Sequence, residues 1–391
     1  MTSDPFVDRG PLTGFRVIDL SENMAGPFAT MILGDQGADV IKVESLRGDQ
    51  IRRTGSGTGG MAAYFANLNR SKRSIALDLT RSEGQAVLQR LFDDADVVIH
   101  AYRPQAAVKL HIDEASVRTA LRPRLVYVEI VGFGRTGPLA GRAVYDHVVQ
   151  ALSGFAALQT DPSTKVPTLI RQGIIDKATG HVAAQSITGA LLRRTRTGVG
   201  ESIAITMLDV ALNFLWPDAM MNNTAASVTD PRPPAANTYR LTPTADGHIS
   251  LMVLTDPQWG ALHPALDLAP AAGRTHPEIL REARERLATM STTDAIAALT
   301  AHDIPCAPVV ALDQLVSEPQ IVANAALREY DHPVLGPILQ PVPMPRLAGM
   351  DPATLRPAPR LGEHSREILA EFGFDTTAVD ALIDAGVVGV S

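Results

Sequence analysis

The sequence predicts an α/β protein: a doubly wound, Rossmann-like larger domain accompanied by a smaller α+β domain. Apolar strand-like segments alternate with helix-like segments over residues 15–207, as in βαβ units. A hairpin-like segment and several helices follow a proline-rich stretch at 222–236. The length of 391 residues also exceeds the ~100–200 residues of an ordinary domain, so more than one structural unit is expected.

The first βαβ unit is predicted over residues 15–44. An apolar run at 15–20 is typical of a buried strand, and residues 26–35 have a helical pattern with Pro27 in the first turn. Gly37 ends that helix, and the run at 38–44 predicts a second strand. A strand, a helix and a strand at this spacing predict two neighbouring parallel strands.

The same alternation continues through the rest of the larger domain. Further strands are predicted at 74–79, 96–100, 125–130 and 199–207. Further helices are predicted at 82–95, 144–158 and 177–194. The helix at 82–95 has apolar residues at helical spacing, namely Val87, Leu88, Leu91 and Phe92.

The domain boundaries follow from composition. Residues 1–221 are predicted to form the large domain, and the small, polar, proline-rich residues 222–236 a linker. Residues 237–328 are predicted to form the smaller domain, with a hairpin at 239–254 that turns at 245–247. Its helices are predicted at 257–267, 276–291 and 292–301, and those of the C-terminal segment 329–391 at 363–373 and 376–386.

Composition excludes several classes of protein. A formal net charge of −7 argues against a nucleic-acid-binding protein, although local cations could still hold a small anionic ligand. There is no apolar run of the ~18 residues that a membrane helix needs, and the N-terminus lacks a signal pattern, so a cytoplasmic protein is expected. No histidine spacing suggests a metal site, and the single cysteine, Cys306, fits a packed residue better than a catalytic thiol.

Two features of the larger domain suggest a ligand site. Met24, Ala25 and Gly26 lie at the start of the first predicted helix, where free N–H groups favour anions. Cations follow several predicted strand ends and could bind a nucleotide's phosphates if they share one sheet edge: Lys42, Arg47, Arg70, Lys72, Arg73, Arg103 and Lys109. On spacing alone, a ligand site is not needed: the first feature is explained better as a plain helix start, and the cations as part of a solvated surface.

Gly132, Gly134 and Gly137 match the dinucleotide pattern G-x-G-x-x-G after a predicted strand. In a dinucleotide site this pattern must also open a helix, whose N-terminus holds the pyrophosphate. Here Pro138 and a loop-like segment follow, so a nicotinamide site is disfavoured. A glycine turn that lets the backbone pass close to a neighbour or a ligand is the simpler interpretation.

Asp176 follows an apolar segment, predicted as a strand, and precedes a helix rich in small residues. Its local pattern fits a helix N-cap, which stabilises a helix by about 1 kcal/mol. A carboxylate with an ordinary pKa of ~3.9 is also ionised at neutral pH and ready to act as a nucleophile. Spacing alone favours the cap and leaves the nucleophile open.

Many segments in one order resemble the family III CoA-transferases, the group of formyl-CoA transferase, carnitine CoA-transferase and 2-methylacyl-CoA racemase. The resemblance covers nearly the whole chain and includes the run Gly-Phe-Arg-Val-Ile-Asp-Leu at 14–20. The other matching segments are residues 25–27, 37–44, 48–49, 69–79, 95–98, 132–134, 137–138, 145–146, 150–154 and 198–201.

The resemblance implies a fold and a reaction. It implies that the C-terminal segment returns to the large domain and that two chains interlock like linked rings, with each active site between subunits. Asp176 would be the nucleophile on an acyl-CoA, forming mixed-anhydride and aspartyl-CoA thioester intermediates before CoA passes to a carboxylic acid. Met24, Ala25 and Gly26 would supply oxyanion-stabilising N–H groups, with Tyr145 and Asp146 in support.

The matching positions for coenzyme A are Asn23, Met24 and Ala25 for pantetheine, Ala101 and Tyr102 near adenine, and Lys109. Some family features are missing: Met24 stands where formyl-CoA transferases have glutamine, Ser45 where an arginine can hold the nucleotide, and no glycine run occurs between 222 and 254. Donor and acceptor acids therefore stay open.

Two other functions compete with CoA transfer. A racemase would need general bases, and that branch has a histidine where this chain has Tyr145. His147 lies on the other side of Asp146 in the sequence. Each step of one residue along a helix rotates the side chain by about 100°, so His147 should not take the place of that histidine. A non-catalytic CoA-binding protein, with Asp176 only as a helix cap, is the remaining alternative.

Overall fold

A computed structural model describes residues 10–119, 122–161, 163–230, 232, 235–270, 273–348 and 355–391. They separate into two compact units. The larger unit runs to Leu215 and resumes at Leu327, and the smaller unit comprises Trp216–Ala326. No helix within these ranges is long and apolar enough to cross a membrane.

A seven-stranded sheet forms the centre of the larger unit. Its strands are β1 (Arg16–Asp19), β2 (Asp39–Glu44), β3 (Lys72–Leu77), β4 (Val97–His100), β5 (Val126–Val131), β6 (Ser202–Thr206) and β7 (Val388–Gly389). They lie in the order β7-β3-β2-β1-β4-β5-β6, in which all but β7 are parallel. This confirms the predicted parallel sheet, and the order of its six parallel strands is that of a doubly wound dinucleotide-binding fold.

Helices connect these strands and continue through both units. In chain order they are α1 (Ala25–Asp35), α2 (Ala63–Asn69), α3 (Ser82–Asp93), α4 (Pro104–Lys109), α5 (Glu114–Val117), α6 (Asp146–Leu152), α7 (Phe155–Leu158), α8 (Ile174–Thr197), α9 (Met207–Ala219), α10 (Asp256–Leu266), α11 (His276–Leu287), α12 (Thr292–Thr300), α13 (Pro319–Ala323), α14 (Ser365–Glu371) and α15 (Thr376–Asp384). Short 3-10 turns lie at Gln50–Arg53, Ala235–Thr238 and Leu312–Ser317.

Two predicted helices differ from the structure. The segment predicted as one helix at 144–158 is two short helices, α6 and α7, because Gly154 has a φ of 96° and interrupts the turn. The helix predicted to begin at Lys177 begins at Ile174, so the segment before Asp176 is helix and not strand. Apolar residues in a first helical turn and in a short buried strand look alike in sequence.

Helices α1 and α8 pack closely in the larger unit. A Cβ atom at Gly180 of α8 would lie 2.8 Å from the Ala25 carbonyl oxygen and 2.8 Å from the Phe28 ring of α1. Only glycine permits this approach without a shift of one helix. The N-terminal halves of the two helices are therefore held side by side, which places both helix starts at one site.

The smaller unit has a three-stranded antiparallel sheet with helices packed on it. Its strands are Leu241–Pro243, His248–Leu251 and Cys306–Pro308, and the first two form the predicted hairpin. Apolar side chains from the sheet and from α10, α11 and α12 form its core: Ile249, Leu262, Leu266, Ile279, Ala283, Leu287, Ala295, Leu299 and Ile304. Two further hairpins, Gly57–Thr58 with Met61–Ala62 and Leu327–His332 with Gly336–Pro341, belong to the larger unit.

Candidate active site

A cavity of about 480 Å³ opens where the carboxyl ends of β1 and β4 lie side by side. The strand order reverses between these two strands, which is where doubly wound sheets bind ligands. Loops after β1, β4, β5 and β6 line it together with the start of α8. The lining residues are Glu22, Asn23, Met24, Ala25, Ala101, Tyr102, Arg103, Pro104, Ala106, Ile130, Val131, Gly132, Phe133, Gly134, Gly141, Arg142, Ala143, Val144, Tyr145, Asp176 and Met207.

The start of α1 forms one wall of the cavity. Met24 is the N-cap residue and its side chain makes no capping hydrogen bond. The N–H groups of the first helical turn, beginning at Ala25, have no acceptor within the helix and lie at the positive end of its dipole. Met24 and Ala25 line the cavity, whereas Gly26, predicted with them, is buried against Ser21 and is not a lining residue.

The start of α8 also borders the cavity, but its free N–H groups are capped. Gly173 is its N-cap, and Asp176 lies in the first turn and lines the cavity. The Asp146 carboxylate at the start of α6 accepts the N–H groups of Ile175 at 2.7 Å and Asp176 at 2.9 Å. Asp146 therefore caps α8, and the interpretation of Asp176 as its N-cap is wrong.

The Asp176 carboxylate has no hydrogen-bond donor or cation beside it among the described residues. Burial raises its pKa, and the nearby negative charge of Asp146 raises it further, to about 7. The expectation that this side chain keeps an ordinary pKa and is fully ionised at neutral pH is therefore wrong. A carboxylate held at this value has a poorly compensated charge, which is common at catalytic sites.

Three segments meet at Gly173. A Cβ atom there would lie 2.6 Å from Met24 Sδ and 3.8 Å from Asp146 Oδ2. A larger residue would have to displace the end of the Met24 side chain, whereas the capping carboxylate lies at ordinary contact distance. Gly173 thus lets the Met24 side chain lie against the start of α8.

Gln150, for which no role was predicted, holds Asp146 in place. Its side-chain amide donates to Asp146 Oδ1 at 2.5 Å and to the Gln172 carbonyl at 3.0 Å. Its Oε1 accepts the Ile170 N–H at 3.0 Å. Gln150 therefore ties the loop before α8 to the helix that carries Asp146.

Tyr64 on α2 is a second residue that the sequence did not indicate. Burial raises the pKa of its phenol, and the negative charges of Asp176, Asp49 and Asp146 raise it further. The raised pKa keeps the Tyr64 hydroxyl neutral near the negative charges of the site. Only the fold brings α2 to this position.

Four predicted phosphate-binding cations have buried partners inside the protein, and one of them is Arg70, 2.7 Å from Asp35. Lys42 is fully buried and lies 3.3 Å from Asp49, and Lys72 is also fully buried, 3.1 Å from Asp19. Arg73 is buried and binds Asp39 at 2.8 Å as well as Glu371. Buried charges need internal partners and have them here, and none of the four lines the cavity, so their role in binding CoA phosphates stays a prediction without support from this geometry.

The other predicted CoA-binding residues fall into two groups. Ala101 and Tyr102 line the cavity, while Arg47 and Lys109 are exposed and are not lining residues, so their roles stay predictions.

His100 anchors the turn that carries these two lining residues. The Tyr102 N–H donates to His100 Nδ1 at 3.2 Å, and His100 Nε2 lies 2.6 Å from the Tyr127 hydroxyl. Burial lowers the pKa of His100 to about 4, so a neutral ring anchors this turn.

Two arginines line the cavity: Arg103, one of the cations predicted after strand ends, and Arg142, which the sequence did not indicate. The guanidinium groups of Arg103 and Arg142 have no partner within the described ranges. Arg103 lies three residues after the carboxyl end of β4, the position that singled it out in the sequence. Glu22 lines the same cavity, and burial together with Asp49 raises the pKa of its carboxyl.

The glycine-rich turn after β5 also lines the cavity. Residues 132–145 contain no helix before α6, as the sequence predicted, so this turn lacks the helix N-terminus of a dinucleotide site.

Tyr145 is exposed and lines the cavity, whereas His147 is exposed and stacks on Tyr145 with ring centroids 6.3 Å apart. Within the described ranges, no three His, Cys, Asp or Glu side chains are grouped to hold a metal ion.

Comparison with known proteins finds a family and several relatives. The model of CoA-transferase family III matches residues 12–365, nearly the whole chain. The succinate–glutarate CoA-transferase of Agrobacterium fabrum is 33% identical, over 92% of this chain and 95% of the relative. Human succinyl-CoA:glutarate CoA-transferase is 31% identical, over 97% of this chain and 90% of the relative.

A solved structure shows the same architecture. The crystal structure of a CAIB/BAIF family protein from Brucella suis is similar with a TM-score of 0.79 and 31% sequence identity. The similarity covers 93% of this chain and 100% of that one.

Proposed function

This chain belongs to CoA-transferase family III and is a CoA-transferase, and we propose that it moves coenzyme A from an acyl-CoA to a free carboxylate through Asp176. One observation carries the role of Asp176. Its carboxylate lies in the cavity without a hydrogen-bond donor from the part of the chain that the structure describes, because Asp146 occupies the amides at the start of α8. A carboxylate that caps nothing and pairs with nothing is free to attack an acyl group.

The reaction begins when an Asp176 oxygen attacks the thioester carbonyl of the donor. The C–S bond breaks, and a mixed anhydride and CoA thiolate form. The thiolate attacks the aspartyl carbonyl carbon, releases the donor acid and leaves an aspartyl-CoA thioester. The acceptor carboxylate then displaces the thiolate from that carbon, and the thiolate attacks the acceptor carbonyl of the second anhydride. CoA leaves on the new acid and Asp176 is regenerated.

Oxyanions form at each of these steps. The first turn of α1, at Met24 and Ala25, borders the same cavity as Asp176 and has N–H groups without helical acceptors. Such amides stabilise an oxyanion more than the planar carbonyl that precedes it, so they lower the barrier.

The cavity is the proposed binding site of coenzyme A. Asn23, Met24 and Ala25 would contact the pantetheine, and Ala101 and Tyr102 the adenine side. The guanidinium groups of Arg103 and Arg142 can form charge-assisted hydrogen bonds with phosphates. Arg47 and Lys109 are further proposed contacts from the family pattern.

We propose that the active protein is a homodimer, as the family pattern implies. Within the larger unit, large apolar side chains on α6 and α9 are exposed: Leu152 is 51% exposed and Phe214 56%. A second copy covering them would explain these residues. Light scattering of the purified protein should give twice the mass of one chain, and a monomeric mass under assay conditions would overturn this part.

The transfer itself is tested with an acyl-CoA and an isotopically labelled acid. Succinyl-CoA with glutarate is the natural first pair, because relatives are named for those acids. Mass spectrometry should find labelled acyl-CoA and released succinate in equal amounts. In deuterated water without an acceptor, the proposal predicts no exchange of the hydrogen next to the thioester carbonyl. Exchange without transfer, across a panel of acids, would identify a racemase instead.

A further inference from the structure

Six charged side chains lie buried beneath the turn that leads into α1. They are three acids and three bases: Asp19, Glu44, Asp49, Lys42, Arg52 and Lys72. Each is at most 4% exposed, and none lines the cavity. Burial of ions costs free energy that pairing seldom recovers in full, so such a cluster is weak evidence for stability alone.

The pair Asp49 and Lys42 binds this turn at both ends. Asp49 accepts the Asn23 N–H at 3.2 Å and the Ile51 N–H at 3.2 Å. Lys42 lies 3.3 Å from Asp49 and donates to the Ser21 carbonyl oxygen at 2.8 Å. The ion pair thus holds the carbonyl of Ser21 and the amide of Asn23, on either side of Glu22.

Asn23 has a conformation that needs such support. Its φ is 66°, in the left-handed region that asparagine adopts more readily than most residues but less readily than glycine. Strained backbone of this kind persists only when its surroundings enforce it. The residues that follow are Met24 and Ala25, which begin α1 and border the cavity.

We propose that Asp49, held by Lys42, is a positioning residue that fixes the turn at 21–25 so that the amides at the start of α1 face the oxyanion formed at Asp176. The proposal rests on the proposed function for its catalytic consequence. It assigns Lys42, expected from the sequence to bind CoA, to the support of this turn. Asp49 itself touches no substrate.

Two variants of Asp49 test this role. Asp49→Ala removes every acceptor, whereas Asp49→Asn keeps one oxygen but turns an amide donor toward Lys42. The matched control is Asp35→Asn at the far end of α1, because Asp35 is also a buried carboxylate, 2.7 Å from Arg70, and is not a lining residue. All three variants remove one buried negative charge.

Hydrogen exchange of the folded proteins, read on a peptide covering residues 20–28, reports the turn directly. We expect faster exchange in Asp49→Asn and Asp49→Ala than in Asp35→Asn or the wild type. In the transfer assay, kcat should fall about 10- to 100-fold in Asp49→Ala, in the range for loss of oxyanion stabilisation. The loss of kcat should be smaller in Asp49→Asn, and Asp35→Asn should keep the wild-type kcat. The KM for acyl-CoA should change by less than about threefold in each variant.

Each possible result contradicts a different part of the proposal. Unchanged exchange of the 20–28 peptide in both Asp49 variants would overturn the positioning role. Faster exchange with wild-type kcat, or an equal loss of kcat in Asp35→Asn, would overturn its catalytic consequence. Failure of the proposed function would give a wild-type protein without transfer activity, while the difference in exchange between the Asp49 and Asp35 variants would persist.

Discussion

The starts of α1 and α8 border the same cavity but differ in how their ends are satisfied. At α8, a carboxylate from another helix occupies the amides of Ile175 and Asp176. At α1, Met24 provides no side-chain cap, and no acidic residue lies in the first turn. One helix start therefore presents a side-chain carboxylate with its amides occupied, and the other presents amides with no carboxylate.

This difference explains how one site can hold both a nucleophile and oxyanion donors. If Asp176 capped its own helix, its charge would be stabilised and its nucleophilicity reduced. With Asp146 as the cap, the Asp176 carboxylate accepts no hydrogen bond from any described residue, and its pKa is about 7. The amides of α1 remain available to a developing oxyanion.

Removal of the nucleophile should have the largest effect. Asp176→Ala and Asp176→Asn should lower kcat for transfer by at least about 1000-fold, as for other residues that form the covalent intermediate. Binding of CoA, measured by calorimetry, should stay within a few-fold of wild type, because these changes leave the cavity wall intact. Retention of more than a tenth of the activity in both variants would contradict the assignment.

Loss of the cap should have the next largest effect. Asp146→Ala frees the amides of Ile175 and Asp176, so the first turn of α8 should loosen and kcat should fall about 10- to 100-fold. Asp146→Asn is the matched variant, since its side-chain oxygen still accepts an N–H, and it should retain much more activity. Equal losses in the two would mean that the charge of Asp146, and not its capping, matters.

The pH dependence of the reaction follows from the pKa of Asp176. The nucleophile must be ionised, and its pKa is raised to about 7, so kcat/KM should fall about tenfold for each pH unit below that value and level off above about pH 8. In Asp146→Asn one like charge is gone, so the midpoint should move to lower pH. A flat profile between pH 5 and 8 would show that Asp176 has an ordinary pKa.

A smaller effect is expected on stability. The pKa of Asp176 is about 7 in the folded chain and ~3.9 when unfolded, so between these values the folded state binds more protons and loses stability as pH rises. At pH 8 the free energy of unfolding of Asp176→Asn should therefore be about 1 kcal/mol higher than that of the wild type, after allowance for solvent screening. Urea unfolding measures this difference. The difference should vanish near pH 4. A variant that is less stable at pH 8 would contradict an unfavourable charge.

The sequence predicted the sheet better than the site. Strands of a buried parallel sheet are rich in apolar residues, and the six segments predicted as strands overlap the six parallel strands β1–β6. The capping of α8 joins Asp146 and Asp176, which are 30 positions apart, and depends on how α6 packs. No local pattern contains that contact, so both the cap and the raised pKa were missed.

The cations show the same limit. Lys42, Lys72 and Arg103 all belong to or follow sheet strands, and their residue types are equally suited to phosphates. Whether such a side chain faces an internal carboxylate or the cavity depends on the neighbouring strand and helix. Lys42 and Lys72 have buried partners, while Arg103 lines the cavity.

Chemical trapping tests the assignment of Asp176 most directly. The wild-type protein is incubated with an acyl-CoA, treated with hydroxylamine or borohydride, and digested for peptide mass spectrometry. The modification should fall on Asp176, be absent without acyl-CoA and in Asp176→Asn, and leave Asp146 unmodified. A modified Asp146, or transfer activity without any modification of Asp176, would contradict the division of roles between the two helix starts.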